Sequence, residues 1–231
     1  MPDPELTEAI RVTDIDELER FRSIQRLRNH WSRPIGPRSY YWYLTFEQSP
    51  QLGLLAAECQ RAIAFPYYDP ISTQDLHLTL DRIAFDSEIA LLQLDEIEAA
   101  ARIICQEISP FDVTIGRLGG TPGAIGFTAF PVQPLAALRN ALRKATLSVY
   151  PAAPLRHSGF HPHVAIAYSN SDDIPAAEVI AVVKRLNPVA YVDVTINDGA
   201  LVLLERDHRA YKWQVVSQVP LRHCGKRLRT G

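Results

Sequence analysis

Cysteine is scarce in this chain of 231 residues: Cys59, Cys105 and Cys224 are scattered, odd in number and form no CxxC pair. Such a set excludes a disulfide framework and suits a reducing compartment. A large net charge is also missing. At a formal −2, the chain has no overall basic field for non-specific nucleic-acid binding, so DNA is not an expected partner. Long apolar runs are lacking too. The most hydrophobic stretches, around Ile89–Leu94 and Leu201–Leu204, fall far short of the about 20 residues needed to span a bilayer. The opening MPDPELTEAI is acidic and has neither the basic start nor the apolar segment of a signal peptide. Together these absences predict a soluble, cytoplasmic protein without a membrane partner. What is present is ordinary globular composition, 47% hydrophobic and 22% charged, enough to build a core. A basic stretch from Arg222 to Arg229 reads as a solvated end.

Hydrophobic periodicity alternates between helix and strand along the chain. A first helix is expected from an Asp14 cap through Ile15, Leu18, Phe21, Ile24 and Leu27. The Pro/Gly-rich Ser32–Ser39 segment is a loop. Strands are expected at Tyr40–Phe46, Leu76–Phe85, Phe111–Leu118, Ile125–Phe130 and His163–Tyr168, and helices at Pro50–Gln60, Ser87–Ile108, Pro134–Val149 and Ala176–Leu186. The stretch Gly119–Gly123 reads as the turn between two of those strands, without P-loop or dinucleotide-binding spacing. Three closing segments, Val189–Ile196, Ala200–Glu205 and Tyr211–Val219, look like one antiparallel set. A helix, a histidine-bearing strand, a helix and a strand pair occur once before about residue 130 and once after it. Two similar lobes within one domain account for that pattern, since no low-complexity linker divides them.

Two strands carry chemistry. In Leu76-His77-Leu78-Thr79-Leu80, His77 and Thr79 share one face while the leucines share the other. In His163-Val164-Ala165-Ile166-Ala167-Tyr168, His163, Ala165 and Ala167 share a face, and Val164, Ile166 and Tyr168 fill the opposite one. A lone strand histidine is more often a hydrogen-bonded surface or core residue. Two of them in matching contexts, 86 residues apart (77 to 163), instead suggest one wet groove lined from two lobes.

The pair His77-Leu78-Thr79-Leu80 and Pro162-His163-Val164-Ala165-Ile166 resembles the motifs of the two-histidine (2H) phosphoesterases, the group of 2′-5′ RNA ligase-like and cyclic phosphodiesterase proteins. The resemblance covers roughly residues 40–219 and departs from the family at Ala165, where a hydroxyl is usual. It implies an α+β, bilobal fold in which two antiparallel sheets form a central groove and helices pack outside. Residues 40–231 would be a single domain of two pseudo-symmetric lobes, and residues 1–39 an added helix and loop. It also implies attack on a phosphodiester, often the 2′,3′-cyclic phosphate of a nucleotide or an RNA 3′-end, by a monomer that needs no metal or other cofactor.

The chemistry is consistent with those residue types. Imidazole, with an ordinary pKa of about 6.5, serves as base or acid near neutrality, and a hydroxyl beside it can hold a non-bridging phosphate oxygen. His77 and His163 are thus the candidate catalytic pair, with Thr79 on the phosphate. Ala165 cannot match Thr79, and losing one such donor lowers rates about 100-fold in comparable sites. Binding without turnover is therefore the alternative reading. His161 is a candidate substrate contact at the groove rim; a metal site built on His161 and His163 is a weaker rival, because no third ligand lies nearby. His157 reads as solvated loop. Aromatic faces for a base are expected from Tyr41 and Tyr43, Tyr43 being the chosen candidate, or from Tyr40 and Trp42 if the strand is turned over. Arg82 alternates away from His77, which argues against a phosphate contact.

Overall fold

The computed structural model describes residues 19–155 and 159–222. Asp14, Ile15 and Leu18 of the expected first helix, His157, and the basic tail past Arg222 lie outside the described residues.

Among the described residues, nine strands form two antiparallel sheets. One has the order β3-β1-β8-β9, built from β1 (Ser39–Thr45), β3 (His77–Phe85), β8 (Asp198–Asp207) and β9 (Ala210–Pro220). The other has the order β2-β6-β5-β4-β7, from β2 (Tyr68–Pro70), β4 (Phe111–Thr121), β5 (Ala124–Phe130), β6 (His163–Ser169) and β7 (Val192–Ile196). Helices α1 (Pro50–Ala62), α2 (Leu91–Cys105), α3 (Val132–Val149) and α4 (Ala177–Leu186) cover the apolar faces. The α+β class with two antiparallel sheets is thus as the sequence predicts. Among the described residues, no helix is long and apolar enough to cross a membrane.

Alternation explains which faces are buried. On β1, Tyr40, Trp42 and Leu44 enter the main core, where the Trp42 indole donates to Thr146 Oγ1 on α3 at 3.0 Å. On α1, Leu52, Leu55, Ala56 and Cys59 face inward as the spacing predicts. α3 begins at Val132, before Pro134, because the first helical turn needs no amide from a proline.

Several boundaries differ from expectation, each for a local reason. Helical backbone stops at residue 22, so Leu27 is not helical. Its amide instead donates to the Ile174 carbonyl at 2.8 Å, and Arg28 and His30 donate to the Pro122 and Ser169 carbonyls, also at 2.8 Å. These bonds pull the leading segment out of helix and lay it along the five-stranded sheet. α2 starts only at Leu91, where the Gln93 side chain accepts from the Ala90 amide; Leu91 is 73% exposed rather than part of the inward stripe. β4 and β5 run through Gly119 and Gly120, leaving only Pro122 and Gly123 to turn the chain. The closing strands are not one set. β7 pairs with β4, while β8 crosses to the other sheet and pairs with β1 and β9. Each sheet therefore draws strands from both sides of residue 130.

Candidate active site

β3 and β6 belong to different sheets but approach within 8 Å, Cα to Cα, and bring His77 and His163 into one cleft of about 780 Å³. The two rings are held alike. His77 Nδ1 donates to the Asp75 carbonyl at 2.9 Å, and His163 Nδ1 donates to the His161 carbonyl at 2.9 Å. A carbonyl only accepts, so Nδ1 carries the proton in both rings and Nε2 is left for chemistry. Their surroundings differ. His77 lies flat against Tyr43 (centroids 4.3 Å, planes 9° apart) with the Trp213 edge at 4.8 Å, whereas His163 is exposed. Burial brings the His77 pKa from 6.5 down to about 4; the Asp75 carbonyl opposes this, and the nearby His163 adds to it.

Thr79 is exposed on the same face as His77, opposite Tyr43 in the sheet register. Tyr41 and Tyr43, not Tyr40 and Trp42, turn toward the cleft. Tyr43 is only 2% exposed, so its principal partner is the His77 ring. Burial raises its phenol well above the ordinary 10, as do the neighbouring Tyr168 and Tyr41 phenols, while a hydrogen bond with Thr79 opposes the shift. His161 is exposed at the rim, with Arg20 Nη1 at 3.4 Å from its Nε2. Ala165 is on the cleft face, and no hydroxyl stands there.

Two β-bulges overturn simple alternation. Between Tyr43↔Thr79 and Trp42↔Asp81 the β1–β3 register shifts, so Leu80 and Asp81 both turn inward. Arg82 then returns to the His77 face and lines the cleft, contrary to its expected orientation. On β6 the register shifts between Ile125↔Ala167 and Gly126↔Ala165. Ala167 consequently enters the core and Tyr168 joins the cleft, the reverse of the expected placement.

Charge in the cleft is lopsided. Among the described residues, Arg20, Arg33, Arg82, Arg117 and Arg139 line it against one carboxylate, Asp81, which is 6% exposed and ion-paired to Arg139 and Arg143. A chain of net charge −2 thus holds a cationic cleft suited to phosphate. His30 forms a further wall, stacked on Tyr168 at 4.0 Å with its Nε2 3.0 Å from the Tyr211 hydroxyl. Arg20, His30 and Arg33 come from the segment expected to be a mere addition. Arg117, Arg139 and Tyr211 carry no motif that sequence reading could have used.

Burial holds His30 down to about 4 as well, reinforced by Arg206 and Arg33. The unfolded chain therefore binds protons that the folded chain refuses as pH falls from 6.5 to about 4, so stability declines through that window. The melting temperature should fall across it, and His30→Gln should flatten the slope. A flat profile in the parent protein would contradict the burial of both rings.

With this geometry, the sequence profile of the 2′-5′ RNA ligase superfamily matches residues 16–210. The chain belongs to the 2′-5′ RNA ligase superfamily. Membership assigns it, as a class, to phosphodiester hydrolysis or ligation. The superfamily fold recurs in the crystal structure of TT0787 of Thermus thermophilus, at 20% identity and a TM-score of 0.62 over 80% of this chain and 98% of that one. It recurs in E. coli LigT, crystallised with NADP+, at 15% identity and a TM-score of 0.58 over 81% of this chain and 99% of that one. The conserved protein ATU0111 of Agrobacterium tumefaciens gives 13% identity and a TM-score of 0.52 over 93% of this chain and 99% of that one. LigT has also been crystallised with 3′-AMP and with ATP. No curated protein matches the chain.

Proposed function

We propose that the cleft hydrolyses a phosphodiester, a 2′,3′-cyclic phosphate of a nucleotide or of an RNA 3′-end, by acid–base catalysis between His77 and His163. The observation that carries this reading is the matched pair of rings, each with Nδ1 tied to a carbonyl and Nε2 left available beside one cationic cleft.

His77, neutral down to about pH 4, is the base. Its Nε2 takes a proton from water as the water oxygen bonds to phosphorus. The P–O bond to the ribose breaks, and His163 Nε2–H protonates the departing oxygen. A phosphomonoester and a free hydroxyl result, and exchange with solvent resets both rings. Ligation is the same displacement with a ribose hydroxyl in place of water: its oxygen bonds to phosphorus as the cyclic P–O bond breaks, and a phosphodiester results. Thr79 holds a non-bridging oxygen on the His77 side, in a cleft whose cationic lining favours the phosphate. His161 contacts substrate at the rim, and Tyr43 supports the His77 ring and closes the floor beneath it.

The direct test is hydrolysis of 2′,3′-cyclic nucleotides, with turnover expected to be unchanged by EDTA. Loss of turnover on chelation would favour the rival in which His161 and His163 ligate a metal. Nucleotide binding with no turnover would favour a binding protein handicapped by Ala165. The role of His77 sets a second expectation. The acid limb of kcat/KM, which reports the free enzyme, should lie near pH 4, with activity falling as His77 is protonated. An acid limb near 6.5 would exclude His77 as the base.

A further inference from the structure

We propose that Arg117 supplies the phosphate grip that Ala165 lacks, binding the non-bridging oxygens from the His163 side of the cleft. This rests on the two-histidine reading above. β4 pairs Gly116 with Thr128 and Leu118 with Phe127, so Arg117 is the extra residue of a bulge. Its φ of 48° lies in the left-handed region, which a side chain with a Cβ rarely adopts. A glycine would suit that backbone, yet the position holds an arginine, and the bulge turns it into the cleft. Ile115 and Leu118, on either side, both remain buried in the core.

The register aligns this bulge with the second motif. Thr128 pairs with Gly116 on one side and with His163 on the other, so Arg117 stands two strands away along the same row. That separation is roughly 10 Å between backbones, much of which an arginine side chain can cover while leaving room for a phosphate. Two residues of the floor between, Gly126 and Thr128, present no side-chain donor to it. Gly126, beside Ala165, has no side chain; a Cβ there would lie 2.9 Å from the Ala165 Cα. The Thr128 hydroxyl donates to the Gly116 carbonyl at 3.1 Å, which occupies the proton an anion would need. Arg20 stands at the rim against His161, and two further cleft arginines have their own neighbours. Arg82 lies over Phe85 on the strand of His77, and Arg139 Nε donates to the Leu80 carbonyl. A guanidinium also fits the ligand, since its planar fork binds two oxygens of one phosphate.

The test is a double-variant cycle on 2′,3′-cyclic nucleotide hydrolysis. Arg117→Ala should lower kcat/KM about 100-fold, and adding Ala165→Ser should recover about tenfold, while Ala165→Ser alone changes little. Arg117→Gly, which relieves the left-handed backbone, should lose the same activity with a melting temperature equal to or above that of the parent. Affinity for adenosine 3′-monophosphate should weaken about tenfold in both Arg117 variants. Arg117→Ala within about threefold of the parent in both rate and affinity, or an equal effect of Ala165→Ser in both backgrounds, would overturn the proposal. His163→Ala assayed in parallel separates the two failures. If it is inactive while Arg117→Ala is not, only the arginine assignment falls; if it retains full turnover, the two-histidine reading falls first.

Discussion

Alanine at either cleft histidine is expected to lower kcat by about 1,000-fold while leaving nucleotide binding within a few-fold, because a positioned acid or base contributes about 10²–10⁴ in rate. The two replacements should differ in every other respect. His163 is exposed, so His163→Ala removes an acid without disturbing the core. His77 is sandwiched by Tyr43 and Trp213, so His77→Ala opens a gap beneath the cleft and should also lower the melting temperature. His77→Asn keeps a donor for the Asp75 carbonyl while still lacking a base, and should be as inactive as alanine but more stable. Single-turnover rates and nucleotide affinity measured on all three variants check this; unchanged hydrolysis in both alanine variants would show that the acid–base pair is misassigned.

The second large effect concerns stability. Asp81 is turned into the interior by the β3 bulge, where Arg143 donates to its Oδ2 at 2.7 and 2.8 Å and Arg139 Nε lies 3.4 Å away. Removing one partner of a buried ion pair strands the other charge in a poor solvent, at a cost of about 3–5 kcal/mol. Asp81→Asn should therefore lower the unfolding free energy by that amount, read as a lower denaturant midpoint with an unchanged slope. A loss below about 1 kcal/mol would mean that the arginines behave as surface groups. Since Arg139 also lines the cleft, the same variant should weaken nucleotide binding, which isothermal titration can follow alongside.

How far the sequence could be read depended on period. The leucines flanking His77 and the apolar residues behind His163 obey strict alternation near the motifs, so the cleft placement of His77, Thr79 and His163 is legible from spacing. Alternation fails at a bulge, and bulges leave little trace in a single sequence. For that reason Arg82 and Tyr168 take the face opposite to the one alternation predicts, and nothing in Gly116-Arg117-Leu118 marks Arg117 as a cleft residue. The leading segment failed differently. Its apolar spacing at Phe21, Ile24 and Leu27 is helical, but backbone bonds to Ile174, Pro122 and Ser169 outweigh local propensity. Arg20, His30 and Arg33 reach the cleft only because of those distant partners. β7 and β8 were grouped because they are neighbours in sequence, whereas Asn197 marks a crossing between sheets.

The interleaving of the sheets has a kinetic corollary. β1 lies between β3, which follows it closely, and β8, which emerges roughly 160 residues later, a separation typical of slow, topology-limited folding. The hairpin that carries Trp213 thus emerges long after the strand of His77, yet it supplies one wall of the His77 pocket. During synthesis, the His77 ring therefore lacks this wall, and with it part of the burial that lowers its basicity, until the β8–β9 hairpin has docked. The full depression of its proton affinity is therefore acquired only when that distant hairpin docks, so a chain cut before β8 would present both motifs without the finished His77 pocket.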